Sequence, residues 1–130
     1  MTPIVLVLSL SLFAGGAGET VDGTGMRTGM RLLDYCRESQ RPAARTEGRP
    51  LESIKAAFCL GYISGFSEAE ALIASANTDF YCAPDGVTHG QEVLIVLKYL
   101  EDNPERLDFP RSILVGAALA EAFPCPPEDK

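Results

Sequence analysis

"AAFCLGYISGF", residues 56–66, places a cysteine and two glycines inside a single apolar run. Each glycine costs a helix about 1 kcal/mol relative to alanine, so a helix here needs compensation from packing or a covalent link. Ile54, Phe58, Tyr62 and Phe66 recur every fourth residue, with Cys59 and Ile63 beside them, which predicts one long helix from about Leu51 to Ala74. On this reading Cys59 ties the helix to a neighbour, and Gly61 and Gly65 let another helix approach closely. The alternative use of the same small-residue face is a seam between two copies of the chain.

Upstream, Thr28 is placed to cap a first helix through about Glu38, with Leu32, Leu33, Tyr35 and Cys36 as its apolar stripe. The intervening "SQRPAARTEGRP" holds two prolines, a glycine and three arginines and reads as an exposed loop. Downstream, "NTDFYCAPDGV" at 77–87 breaks the helical pattern with Asn, Pro and Asp-Gly. Thr88 and Gln91 then form a capping box that opens a third helix to about Asp102, burying Val93, Leu94, Leu97 and Leu100. Asn103-Pro104 stops it, and a fourth helix runs from about Arg111 to Phe123 before Pro124. No stretch alternates with the period of a strand. The predicted class is all-α, a small four- to five-helix domain of two antiparallel hairpins.

The chain has four cysteines, Cys36, Cys59, Cys82 and Cys125, and one histidine, His89. No CxxC or CxxCH occurs, and gaps of 23, 23 and 43 residues do not suit zinc or haem attachment. Two disulfides are expected, and counting alone leaves three connectivities open. The helix layout favours two pairs. Cys82 precedes the third helix and Cys125 follows the fourth, while Cys36 near the end of the first can meet Cys59 in the second. Pairs 36–59 and 82–125 would then stabilise the fold by about 3.5 and 4 kcal/mol in the chain-entropy picture.

"MTPIVLVLSLSLFAGGAGET" has the layout of a secretory signal: an apolar run from Ile4 to Ala14, then Gly15, Gly16 and Ala17. It lacks Lys or Arg before the run, and it is well short of the ~20 residues of a spanning helix. Cleavage after Gly16 or Ala17 is expected, giving a signal peptide at 1–17, a flexible lead-in at 18–27, one helical domain at 28–126 and a tail at 127–130. A retained membrane anchor is the alternative. The expected compartment is the periplasm, with no membrane attachment after cleavage.

The formal net charge of −7 argues against nucleic acid or anionic lipid as partners. Between Arg27 and Lys55, however, seven basic side chains face four acidic ones. This is either a solvated basic stretch on an acidic domain or one pole of a surface suited to a charged partner.

Catalysis finds no support in the residues. The thiols are expected to be oxidised, Glu68 and Glu70 are two apart on a helix and diverge, and Glu101 with Asp102 reads as a solvated helix end. No phosphate loop or nucleophile elbow occurs. No catalytic residue, metal ligand or cofactor is assigned, and the chain is read as a non-enzyme. The segment with most to offer is "NTDFYCAPDGVTHG". Phe80 or Tyr81 either packs beneath this loop as core, or the loop is a preorganised recognition element presenting Asp79, Phe80, Tyr81, Asp85 and His89.

Four segments in order, "LLDYC", "AAFCLGYISGF", "YCAPDGVTHGQEVLIVLKYLEDNPERL" and "ALAEAFPCP", resemble the Rap/Tai family of immunity proteins over about residues 28–126. The most specific matches are Cys59, Gly61, Tyr62 and Gly65; Cys82, Pro84, Thr88, Gln91, Asn103 and Pro104; and Phe123, Pro124 and Cys125. The resemblance implies a periplasmic helical protein, often a homodimer, that neutralises a type VI secretion effector, in particular a peptidoglycan amidase, by occluding its cleft. The arginine-rich loop at 37–50 lies outside the recognisable pattern. A second reading is a small acid-stress-type periplasmic chaperone or other stand-alone periplasmic binding protein. Acid behaviour separates the two, since such a chaperone loosens at low pH and an inhibitor stays folded.

Overall fold

The computed structural model describes residues 27–42, 49–74 and 79–127. The expected signal peptide, most of the lead-in and the centre of the arginine-rich loop lie outside these residues. Four α-helices are present: α1 (Gly29–Ser39), α2 (Pro50–Ala74), α3 (His89–Asp102) and α4 (Arg111–Ala122), with a 3₁₀ turn at Pro104–Arg106 between α3 and α4. Among the described residues there is no strand, and no helix is long and apolar enough to cross a membrane.

The predicted pairing of helices is observed. α1 packs chiefly on α2 and α3 on α4, and contacts of α3 with α1 and α2 join the two hairpins. Cys36 is bonded to Cys59 and Cys82 to Cys125, at sequence separations of 23 and 43. The first bond sits at the centre of the α1–α2 contact, with both cysteines fully buried. The second closes the open end of the α3–α4 hairpin, where the Cys82 N–H also donates to the Phe123 carbonyl at 2.8 Å. Leu32, Ile63, Val96, Leu100, Leu114, Val115 and Leu119 form the core these elements enclose.

The two helix starts differ in an instructive way. At α3 the capping box forms as predicted: the Gln91 N–H donates to Thr88 Oγ1 at 3.2 Å, and the Thr88 N–H to Gln91 Oε1 at 2.8 Å. At α1, Thr28 occupies the cap position in extended backbone, yet its side chain makes no capping bond. The first-turn donors are met from across the fold instead. The Gly29 N–H donates to the Phe109 carbonyl at 2.9 Å and the Met30 N–H to that of Leu107 at 2.8 Å. Orphan donors at a helix start need acceptors, and here the turn before α4 supplies them.

Three details of the predicted packing are corrected. On α2 the deeply buried positions are Cys59 and Ile63, while Phe58, Tyr62 and Phe66 are half-buried and Ile54 is exposed. The apolar stripe is thus rotated by about one residue from the fourth-residue series. On α3, Leu94 is exposed, because Val93, Val96, Leu97 and Leu100 already fill the inward face at spacings of three and four. Most importantly, Gly61 and Gly65 are exposed, and a Cβ at either would meet nothing within 4 Å. No helix among the described residues approaches there. The close approach is at Gly29, where a Cβ would lie 2.2 Å from Leu114 Cδ1 and 3.3 Å from the Leu107 carbonyl oxygen.

Candidate functional site

The loop between α2 and α3 is held at both ends. Cys82 fixes it to the end of α4, and Asp85-Gly86 turns it, with Gly86 at φ 92°, a conformation glycine adopts without a steric penalty. The sequence left open whether Phe80 or Tyr81 turns inward, and the fold separates them. Tyr81 is buried against the core and Phe80 is 58 % exposed. The buried Glu70 carboxylate on α2 helps to set this, accepting the Phe80 N–H at 3.2 Å. Tyr81 as a partner-contacting residue is therefore corrected: its ring lies beneath the loop and holds the loop in place.

Below Tyr81 a polar cluster joins three elements. The Ser67 hydroxyl donates to Glu92 Oε2 at 2.8 Å, and His89 Nδ1 lies 2.8 Å from the same oxygen. Burial raises the Tyr81 hydroxyl above the ordinary tyrosine range; a hydrogen bond with Ser67 opposes this, and the Glu92 and Glu70 carboxylates add to it. Glu92 is buried, so these partners compensate its desolvation. His89 stands half-exposed at the first position of α3.

Outside the loop, Phe80 flanks an apolar groove of about 470 Å³ between α2 and α4, lined by Phe66, Ile73, Ile113 and Gly116 among others. Ile73 and Ile113 are 46 % and 60 % exposed. Of the five residues expected at a recognition loop, the structure brings Phe80 to this groove. Asp79 is exposed beside the Cys82–Cys125 bond, Asp85 sits exposed on the turn, and His89 is drawn to Glu92. The Asp79 carboxylate and the two sulfurs lie within 4.8 Å of one another, but both sulfurs are consumed in the disulfide.

The groove-lining isoleucines were missed by sequence reading. Ile113 belongs to an apolar run on α4, and only the position of α2 decides which of its apolar residues are left uncovered. A second feature was partly legible. Phe58 and Tyr62, one helical turn apart, stack with centroids 6.0 Å apart, Tyr35 meets Phe58 edge-on at 5.1 Å, and the Arg111 guanidinium lies over the Tyr62 ring at 4.4 Å.

Against this geometry, the Rap1a immunity protein family model matches residues 28–125. The chain belongs to the Rap1a immunity protein family. The match begins at the N-cap of α1 and ends on the last cysteine, so it takes in all four helices and both disulfides. No curated protein and no solved structure gives a significant match. Membership makes this an immunity-type protein whose partner is a toxin.

Proposed function

We propose that this Rap1a-family protein acts in the periplasm by binding and neutralising a type VI secretion effector, in particular a peptidoglycan amidase, whose cleft it occludes. The action is stoichiometric binding, with no catalysis by the immunity protein itself. The observation that carries the reading is Phe80: a large exposed ring beside an apolar groove, on a loop pinned by a disulfide and by a buried tyrosine. Preordering of this kind lowers the entropy lost on binding, and a rigid aromatic anchor is the usual centre of such an interface. Asp79 and Asp85, exposed on the same loop, and His89 at its end contribute polar contacts at the rim.

Export fits the two disulfides, which persist in oxidising compartments. In this reading the protein is a homodimer. The exposed face of α2 at Gly61 and Gly65 would form the seam between copies.

The test is to capture partners from the producing organism's periplasm and culture supernatant with the oxidised protein. A single stoichiometric partner that cleaves peptidoglycan, and is silenced on mixing, supports the reading. Many weak clients bound only at acid pH would replace it with the chaperone reading. Phe80→Ala should weaken partner binding at least tenfold, about 1.4 kcal/mol, without lowering the unfolding midpoint. A lowered midpoint with unchanged affinity would remove Phe80 from the interface.

A further inference from the structure

Three carboxylates are buried among the described residues: Glu38, Glu70 and Glu92. Two of them have a basic side chain against them. Arg41 Nε lies 2.8 Å from Glu38 Oε2, and His89 Nδ1 lies 2.8 Å from Glu92 Oε2, which also accepts from Ser67. Glu70 has no ion pair among the described residues. Its one hydrogen bond there comes from a neutral donor, the Phe80 N–H at 3.2 Å. An amide oxygen would serve that bond as well, whereas a carboxylate with no counter-charge is costly to take out of water. The charge at Glu70 thus exceeds what holding the loop requires.

Glu70 is also in the wall of the apolar groove of about 470 Å³ beside Phe80, and it is the only ionisable residue that lines it. The segments that build the groove, residues 66–74, 79–80 and 112–120, add Glu68 and Asp79 and contain no Lys or Arg. Arg111, just before the last of these, is stacked on the Tyr62 and Phe58 rings. An apolar trough with one carboxylate in its wall matches a long basic side chain. The methylene stem covers the apolar surface and the cationic head meets the carboxylate. Arginine fits better than lysine, because its planar, weakly hydrated head also lies well against aromatic rings. Phe66 and Phe80 supply such rings here.

We propose that this groove receives an arginine side chain of the partner protein, with its guanidinium on Glu70 and its stem between Phe80 and Ile113. The identity of that partner rests on the immunity reading; the arginine is what the partner must present. The test is an amide-shift titration of the oxidised protein with acetyl-Leu-Arg-Leu-amide, with citrulline in place of arginine as the uncharged control. Saturable shifts should appear at Ile73, Phe80, Ile113 and Gly116 with a dissociation constant of roughly 1 mM or below. The citrulline peptide should bind about tenfold more weakly. Glu70→Gln keeps an oxygen for the Phe80 N–H and loses the charge, so it should weaken the arginine peptide about tenfold without lowering the unfolding midpoint. Should that variant fail to fold, the exposed Ile113 decides: Ile113→Lys should abolish arginine binding and Ile113→Glu should retain it. Equal affinity for the two peptides, no saturable shift at these amides, or full affinity in Glu70→Gln would overturn the proposal. Capture of a toxin that Phe80→Ala weakens and Glu70→Gln does not would reject the arginine and leave the immunity reading in place. Arginine binding at the groove with no toxin captured would uphold the groove chemistry and reject that reading.

Discussion

The Ser67 hydroxyl of α2 donates to Glu92 Oε2 of α3 at 2.8 Å, a polar link between the two helix hairpins. The same oxygen lies 2.8 Å from His89 Nδ1, so one buried carboxylate organises the base of the loop that presents Phe80. Glu92→Ala removes the acceptor that Ser67 and His89 share, leaving the Ser67 hydroxyl the Ile63 carbonyl at 3.1 Å, and should lower stability by about 2 kcal/mol through the loss of two polar contacts. Ser67→Ala should cost less, about 1 kcal/mol, because Glu92 keeps His89. Urea unfolding of the two variants gives the comparison; equal losses would mean the imidazole contributes nothing.

Glycine substitutions should give opposite signs along the chain. Gly29→Ala drives a Cβ into the fully buried Leu114 and against the Leu107 backbone, and should destabilise by about 1–3 kcal/mol. Gly61→Ala and Gly65→Ala fall in open space on an α-helix and should each stabilise the protomer by up to about 1 kcal/mol. Thermal unfolding at low concentration measures the protomer. If sedimentation also shows dimer lost in the α2 variants, that face is the seam between copies.

Alkaline pH should destabilise the fold through Tyr81. Its folded-state pKa lies above the ordinary tyrosine value of 10.0, so the folded protein holds this proton more tightly than the unfolded chain. The contribution is complete below that value and is lost as pH rises through the raised one. Lys55 and Lys98 are also raised, by hydrogen bonds to Asp34 and Asp102, and lose their contributions in the same direction. The difference between wild type and Tyr81→Phe therefore isolates the tyrosine. The stability gap between them should change above about pH 10 and stay constant between pH 6 and 9. A gap that is flat through pH 12 would contradict the assignment.

The two disulfides should differ in what their removal does. Replacing Cys82 and Cys125 by serine opens the longer loop and should cost about 4 kcal/mol, against about 3.5 kcal/mol for Cys36 and Cys59. Both are a large share of the stability of a domain this size. The Cys82–Cys125 variant should also release Phe80 and Tyr81 to faster amide exchange, since the loop enters α3 from that anchor. Loss of protection confined to α1 and α2 would show that the loop is held by Glu70 and the core alone.

What the sequence determined by itself is everything set by near neighbours. Helix periodicity placed four helices to within a residue or two at most ends, because the apolar spacing and the Pro, Gly and Asn stops act locally. The Thr88–Gln91 box was legible for the same reason, as both partners lie within one turn. The disulfide pairing followed once short connections made neighbouring helices partners. Tertiary structure decided the rest. Thr28 and Gly29 begin a helix whose donors are met by Leu107 and Phe109, far along the chain. Which glycine is pressed against a neighbour, and which of two adjacent aromatics turns inward, depends on where α4 and Glu70 come to lie. Local composition cannot rank Gly29 against Gly61, or Phe80 against Tyr81, because each pair has similar intrinsic preferences and differs only in the surface that meets it.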